Sequence, residues 1–115
     1  MKTKITQILF LLTFISVHVE AKSEIVHTLG MHSCGAWIEN KTENSALYFL
    51  DKATLLGYLS GLNVALSDAN HDSLNSVDVK SLYLWMDNYC QKNPLNDVSD
   101  GGKQLFRELR EMKKK

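Results

Sequence analysis

The side chains best suited to chemistry in this chain are two cysteines, Cys34 and Cys90, and two histidines that precede the first of them, His27 and His32. A thiolate beside an imidazole is the start of a nucleophilic site, and Cys with His is also a zinc donor set. The spacing completes neither. His27, His32 and Cys34 show no recurring ligand interval, and no further residue stands ready to orient a histidine as base. Elsewhere the carboxylates are dispersed, there is no Ser-His-Asp order in a local context, and no glycine-rich phosphate loop opens a helix. The residues therefore predict no catalytic site, no metal and no other cofactor.

What the cysteines do depends on the compartment, and the first residues speak to that. Lys2 and Lys4 give a short positive start, residues 5–17 (ITQILFLLTFISV) are largely apolar, and Val19-Glu20-Ala21 offers tolerated side chains for cleavage after Ala21. This is the layout of a secretory signal. The apolar run of about 13 residues is short of the roughly 20 needed to cross a bilayer, so stable membrane insertion after cleavage is not expected. Residues 1–21 are read as signal peptide, 22–32 as an N-terminal arm and 33–115 as a helical domain, with the protein in the periplasm. In an oxidising compartment an even cysteine count argues for a disulfide. Two cysteines allow one intramolecular pairing, Cys34–Cys90, and closing that loop is worth roughly 4 kcal/mol in the chain-entropy model.

Composition narrows the class further. The 115 residues carry 13 Lys+Arg and 13 Asp+Glu, and removal of Lys2, Lys4 and Glu20 leaves 11 basic and 12 acidic groups. That balance excludes the basic excess of a nucleic-acid binder. With 44% apolar and 23% charged residues the chain is expected to fold around a core.

The elements that must position these residues are helices. Ser33 caps a first helix over 34–41, with Trp37 turned inward. The longest periodic stretch, 46–69, puts Leu47, Leu50, Thr54, Gly57, Tyr58, Gly61, Leu62 and Ala65 on steps of three and four. Gly57, Gly61 and Ala65 form a smooth strip, and each glycine costs a helix interior about 1 kcal/mol. The expectation is a second helix crossing closely there, so that Gly57→Leu or Gly61→Leu overpacks; Asn63 would make a polar contact within that packing or belong to a ligand pocket. Ser76 is the expected cap of a third helix running to Lys92, with Leu82, Trp85, Tyr89 and Cys90 buried, ended by Asn93-Pro94. The stripe Leu95, Val98, Gly102, Leu105, Leu109, Met112 runs through Gly101-Gly102 and predicts one last helix over 95–112, with Gly102 at a close contact; two helices hinged at the glycine pair are the alternative. No strand alternation competes, and the result is an all-α, four-helix single domain with one disulfide.

Three local patterns carry a resemblance: Ser33-Cys34-Gly35-Ala36-Trp37, Gly57-Tyr58-Leu59-Ser60-Gly61-Leu62-Asn63, and residues 85–95 (WMDNYCQKNPL). An early Cys, a GYxxG helix and a Tyr-Cys…Asn-Pro-Leu turn into a final helix resemble the HdeA/HdeB superfamily of small periplasmic helical domains. They are also similar to the Tai/Rap-type immunity proteins that protect bacteria from type VI secretion amidase effectors. The likeness spans about 33–109 and implies a helical, protein-binding role.

Three functions follow as expectations. The first is neutralisation of a specific protein partner, an effector, with the loop residues His71, Asp72 and Asn75, or else Asn96 and Asp97, offered for contact. The second, implied by the HdeA likeness, is an acid-stress chaperone that binds acid-unfolded clients. Titration of its carboxylates and histidines would carry the mature chain from about −1 to roughly +14, and self-repulsion would open the packing. The third is a structural accessory or homodimer joined through the glycine strip or Trp37 and Trp85.

Overall fold

The computed structural model describes residues 30–66 and 71–114, which form four helices: α1 (Cys34–Thr42), α2 (Ala46–Leu66), α3 (Val79–Lys92) and α4 (Val98–Lys113). Residues 1–29, on which the expected signal peptide and most of the expected arm fall, lie outside the described residues. α1 packs between α2 and α3 on one side, and α4 packs between the same two helices on the other. The four thus surround one core in the cyclic order α1, α2, α4, α3.

Local chemistry sets the helix ends. Ser33 accepts from the Ala36 amide at 3.2 Å and starts α1. The α3 cap is Asp78, whose carboxylate accepts from the amides of Lys80 and Ser81. The expected cap, Ser76, instead sits at φ +60° in the preceding turn, where its hydroxyl donates to Asn75 Oδ1 at 3.1 Å. Asn93 closes α3 by returning its own amide to the Tyr89 carbonyl at 2.9 Å, and Pro94 follows. α4 begins at Val98, not at Leu95, which is 96% exposed, and it continues unbroken through Gly101-Gly102.

The starts of α1 and α4 are stitched together. Cys34 N–H donates to the Asn96 carbonyl at 2.8 Å, and Val98 N–H donates to the His32 carbonyl at 3.0 Å. Beside this seam the Cys34–Cys90 disulfide, fully buried, ties α1 to α3. Trp37, Leu55, Leu59, Leu82, Met86, Leu105, Phe106 and Leu109 complete the core, while Tyr58, Leu62, Trp85 and Tyr89 are half-buried at its edge.

The glycines divide differently from the expectation. A Cβ at Gly101 would lie 2.7 Å from the Tyr89 ring and 2.8 Å from Met86 Sδ, and one at Gly102 would lie 2.9 Å from the Tyr58 ring. These adjacent glycines let α4 settle against α3 and α2. At Gly57 and Gly61 a Cβ would meet nothing within 4 Å among the described residues, and Ala65 is exposed, so none of the described helices crosses that strip. The cause is the rotation of α2. Its inward residues are Asp51, Leu55 and Leu59, whereas Leu47 and Leu50 face outward. α2 is apolar almost all round, so periodicity alone leaves its phase open. Asp51 settles it, because this buried carboxylate binds His32 Nδ1 at 2.6 Å and Asn40 Nδ2 at 2.8 Å.

Candidate protein-docking surface

α1 is held by two buried carboxylates as well as by the disulfide. On the α2 side Asp51 takes His32 and Asn40; on the α3 side Asp87 accepts from Trp37 Nε1 at 2.8 Å and from Lys41 Nζ. Burial, followed by the neighbouring Asp87 charge, pushes the Tyr48 hydroxyl above its ordinary value of 10.0. Burial likewise raises Tyr58 and Tyr83. His32, two residues before Cys34, sets its Nδ1 against Asp51 of α2, and Cys34 is held in the disulfide.

The histidine and loop residues expected at a contact site do not form one surface. Asp72 accepts from Asn63 Nδ2 at 2.8 Å and from the Leu74 amide at 3.0 Å, while Asn63 Oδ1 accepts from the Ser73 amide at 3.1 Å. Asn63 therefore anchors the loop after α2. These bonds hold the Asp72 carboxyl below the usual 3.8, the Asn63 amide first among them. The Asn75 carbonyl accepts from Lys113 Nζ at 2.6 Å, near the end of α4. His71 is half-buried, and its Nε2 is out of solvent without a hydrogen-bond partner among the described residues. Asn96 and Asp97 lie at the other end of α4, where Asn96 Nδ2 donates to the Tyr89 hydroxyl at 2.8 Å and the Asp97 amide donates to Asp100. The two groups are separated by the length of that helix, roughly 22 Å at 1.5 Å per residue. Each residue except His71 already has a turn or cap to hold.

The surface that lacks a structural duty is the outer face of α2. Phe49 is 61% exposed, Leu50 55% and Val64 84%, with Ala53, Gly57 and Gly61 between them. The only charged side chains on α2 are Asp51, which is buried, and Lys52, whose ammonium lies 4.5 to 5.3 Å from the ring centres of Tyr48, Phe49 and Tyr83. Cation–π attraction acts over that distance and holds the lysine against the rings. A helix apolar on both its inner and outer faces is one that normally has neighbours on both.

Two grooves flank α4. One, of about 430 Å³, runs between α2 and α4, with Leu62, Leu66, Tyr89 and Phe106 in its lining and Lys103 and Arg107 along α4. The other, of about 490 Å³, lies between α3 and α4 and is mostly polar. There Trp85 stacks on Tyr89 with ring centres 5.4 Å apart and donates through Nε1 to Glu108 at 2.9 Å. Sequence reasoning passed over Phe49, Lys52, Val64, Lys103 and Arg107. The spacing of Lys103 and Arg107, one turn apart on α4, was the only available signal for the groove.

Among the described residues no group of three or more His, Cys, Asp or Glu is placed to hold a metal ion, and no helix is long and apolar enough to cross a membrane. Fold and surface together define a small all-α, four-helix domain braced by one disulfide. Comparison with family models, with curated proteins and with solved structures returns no match, so the functional reading rests on this geometry.

Proposed function

We propose that the protein is a non-catalytic periplasmic domain that binds and neutralises one specific protein partner, as immunity-type inhibitors do. The observation that carries this reading is the apolar face of α2 that no other described helix covers, with Phe49, Leu50 and Val64 exposed on a frame braced by the Cys34–Cys90 bond and the Asp51 and Asp87 contacts. Exposed apolar side chains along one helix face mark protein interfaces, and each large one buried there would contribute about 1.5–3 kcal/mol. Rigidity adds to affinity, since little order is lost on docking.

The test is capture from periplasmic extract at neutral pH, with L50D/V64D as the comparison. The expected result is one stoichiometric partner for the wild type and its loss in the variant, with the melting temperature unchanged because both side chains face solvent. Absence of a stoichiometric partner, or retention by the variant, overturns the reading. A dimer in sedimentation velocity that dissociates on L50D/V64D would assign the same face to a second copy.

An acid-stress chaperone is the second reading, and three carboxylates favour it. Asp72, Asp78 and Glu111 are all held below their ordinary values, chiefly by hydrogen bonds from Asn63, Ser81 and Lys114. Their stabilisation is present above the ordinary carboxylate range and is lost as pH falls through the lowered values. Suppression of client aggregation only after a shift to about pH 2–3, without any partner at neutral pH, would select this reading over the first.

A further inference from the structure

The groove between α2 and α4 has two unlike walls. The α2 wall is Leu62 and Leu66, at the end of the helix remote from its two charged residues. The α4 wall carries Lys103 and Arg107, one helical turn apart, and Arg110 follows at the next spacing of three. Phe106, 3% exposed, lies between them. Asp100 approaches Lys103 at 3.6 Å and offsets it in part, whereas Arg107 forms no ion pair with any described residue. The neighbouring groove between α3 and α4, which shares Tyr89 and Gln104 with this one, differs: there Glu108 accepts from Gln104 Nε2 and from Trp85 Nε1. The α4 wall of the first groove thus sets two basic side chains against one carboxylate, Asp100, beside the apolar α2 wall.

We propose that this groove receives an acidic amphipathic helix of the partner protein. The helix would lay its apolar side chains on Leu62, Leu66 and Phe106 and set carboxylates against Lys103 and Arg107. Glutamates four apart on a helix stand about 6 Å from one another, which matches the Lys103–Arg107 repeat. Arginine favours a carboxylate that it can grip with two N–H groups. The recess lies between two helices, a shape that admits a rod of side chains and not the flat face of a bilayer. This assignment rests on the protein-binding reading and names the chemistry of the partner.

The test uses the protein purified from the periplasm and two synthetic helical peptides that share one Leu/Phe face. One carries Glu at the flanking positions and the other carries Lys. The Glu peptide is expected to bind about tenfold more tightly, as two exposed charge pairs made or opposed allow, and to shift the NMR signals of Leu62, Leu66 and Phe106. K103E/R107E should invert the preference without changing the melting temperature. Equal affinity for both peptides, no binding, a preference unmoved by K103E/R107E, or capture by phosphatidylglycerol vesicles in place of the peptide each overturns the proposal. If the partner captured from extract is retained by K103E/R107E and lost by L50D/V64D, the groove assignment falls and protein binding stands. Glu-peptide selectivity with no stoichiometric partner in extract supports the groove and overturns the neutralising role.

Discussion

Four glycines in two helices provide a direct measurement of which surfaces are covered. Gly57→Ala and Gly61→Ala place a methyl group in open space on α2, where nothing lies within 4 Å. The gain is the helix propensity of alanine over glycine, about 1 kcal/mol at each site. For a domain of this size each should raise the melting temperature by about 4–8 °C. Gly101→Ala gains the same propensity but drives its methyl group to 2.7 Å from the Tyr89 ring and 2.8 Å from Met86 Sδ. Met86 is fully buried, and the Tyr89 ring is held by its stack on Trp85 and by Asn96. Overpacking of this kind costs about 1–3 kcal/mol, so the net effect is a loss. Gly102→Ala meets only the half-buried Tyr58 ring below 3 Å, at 2.9 Å, and should fall between the two cases. Thermal melts followed by circular dichroism at two protein concentrations suffice. A fall in melting temperature for G57A or G61A would refute the reasoning, because it would mean that something covers the α2 face in the isolated protein. A rise for G101A would show that α4 does not rest on α3 as described.

Other outcomes follow from the same contacts. The C34S/C90S double variant should lose about 4 kcal/mol in urea titration, the entropy of the loop closed by residues 56 apart. Asp87→Ala leaves the Trp37 Nε1 donor buried without an acceptor and Lys41 without its carboxylate, a cost of about 3 kcal/mol by the same assay, whereas Asp87→Asn keeps an acceptor and should cost less. Stability should be level near neutrality and decline as pH falls below about 4, since Asp72, Asp78 and Glu111 have folded-state values beneath the ordinary ones. D72N/D78N should flatten that acid limb. Above about pH 10 stability should fall again, because Tyr48, Tyr58 and Tyr83 ionise more readily in the unfolded chain than in the fold.

How much of this was legible in the chain differs from helix to helix. α4 could be read because its apolar stripe is narrow and its other faces are charged, so only one rotation buries Val98, Leu105 and Leu109. The partnership of Cys34 with Cys90 could be read because two cysteines have one way to pair. α2 could be read as a helix but not oriented. Its deciding residue is polar, and the groups that bury Asp51, His32 and Asn40, come from segments 19 and 11 positions away. A hydrophobic count assigns such a residue to solvent. Asp72 and Asn75 were visible as loop residues, but their bonds to Asn63 and Lys113 depend on which helix end lies beside the loop.

The sequence by itself determined the helical class, the element order, the disulfide and the stop of α3 at Asn93-Pro94, because these rest on spacing, a proline and a pairing without alternatives. Tertiary structure alone decided which face of α2 is buried, which glycines lie under a neighbour, and which side chains line the groove beside α4. Leu62 and Leu66 stand about 40 positions from Lys103 and Arg107, and they become one surface only when α2 and α4 are packed side by side. The physical reason is that periodicity records how a helix can bury itself, whereas a surface between helices depends on rotations set by a few buried polar contacts.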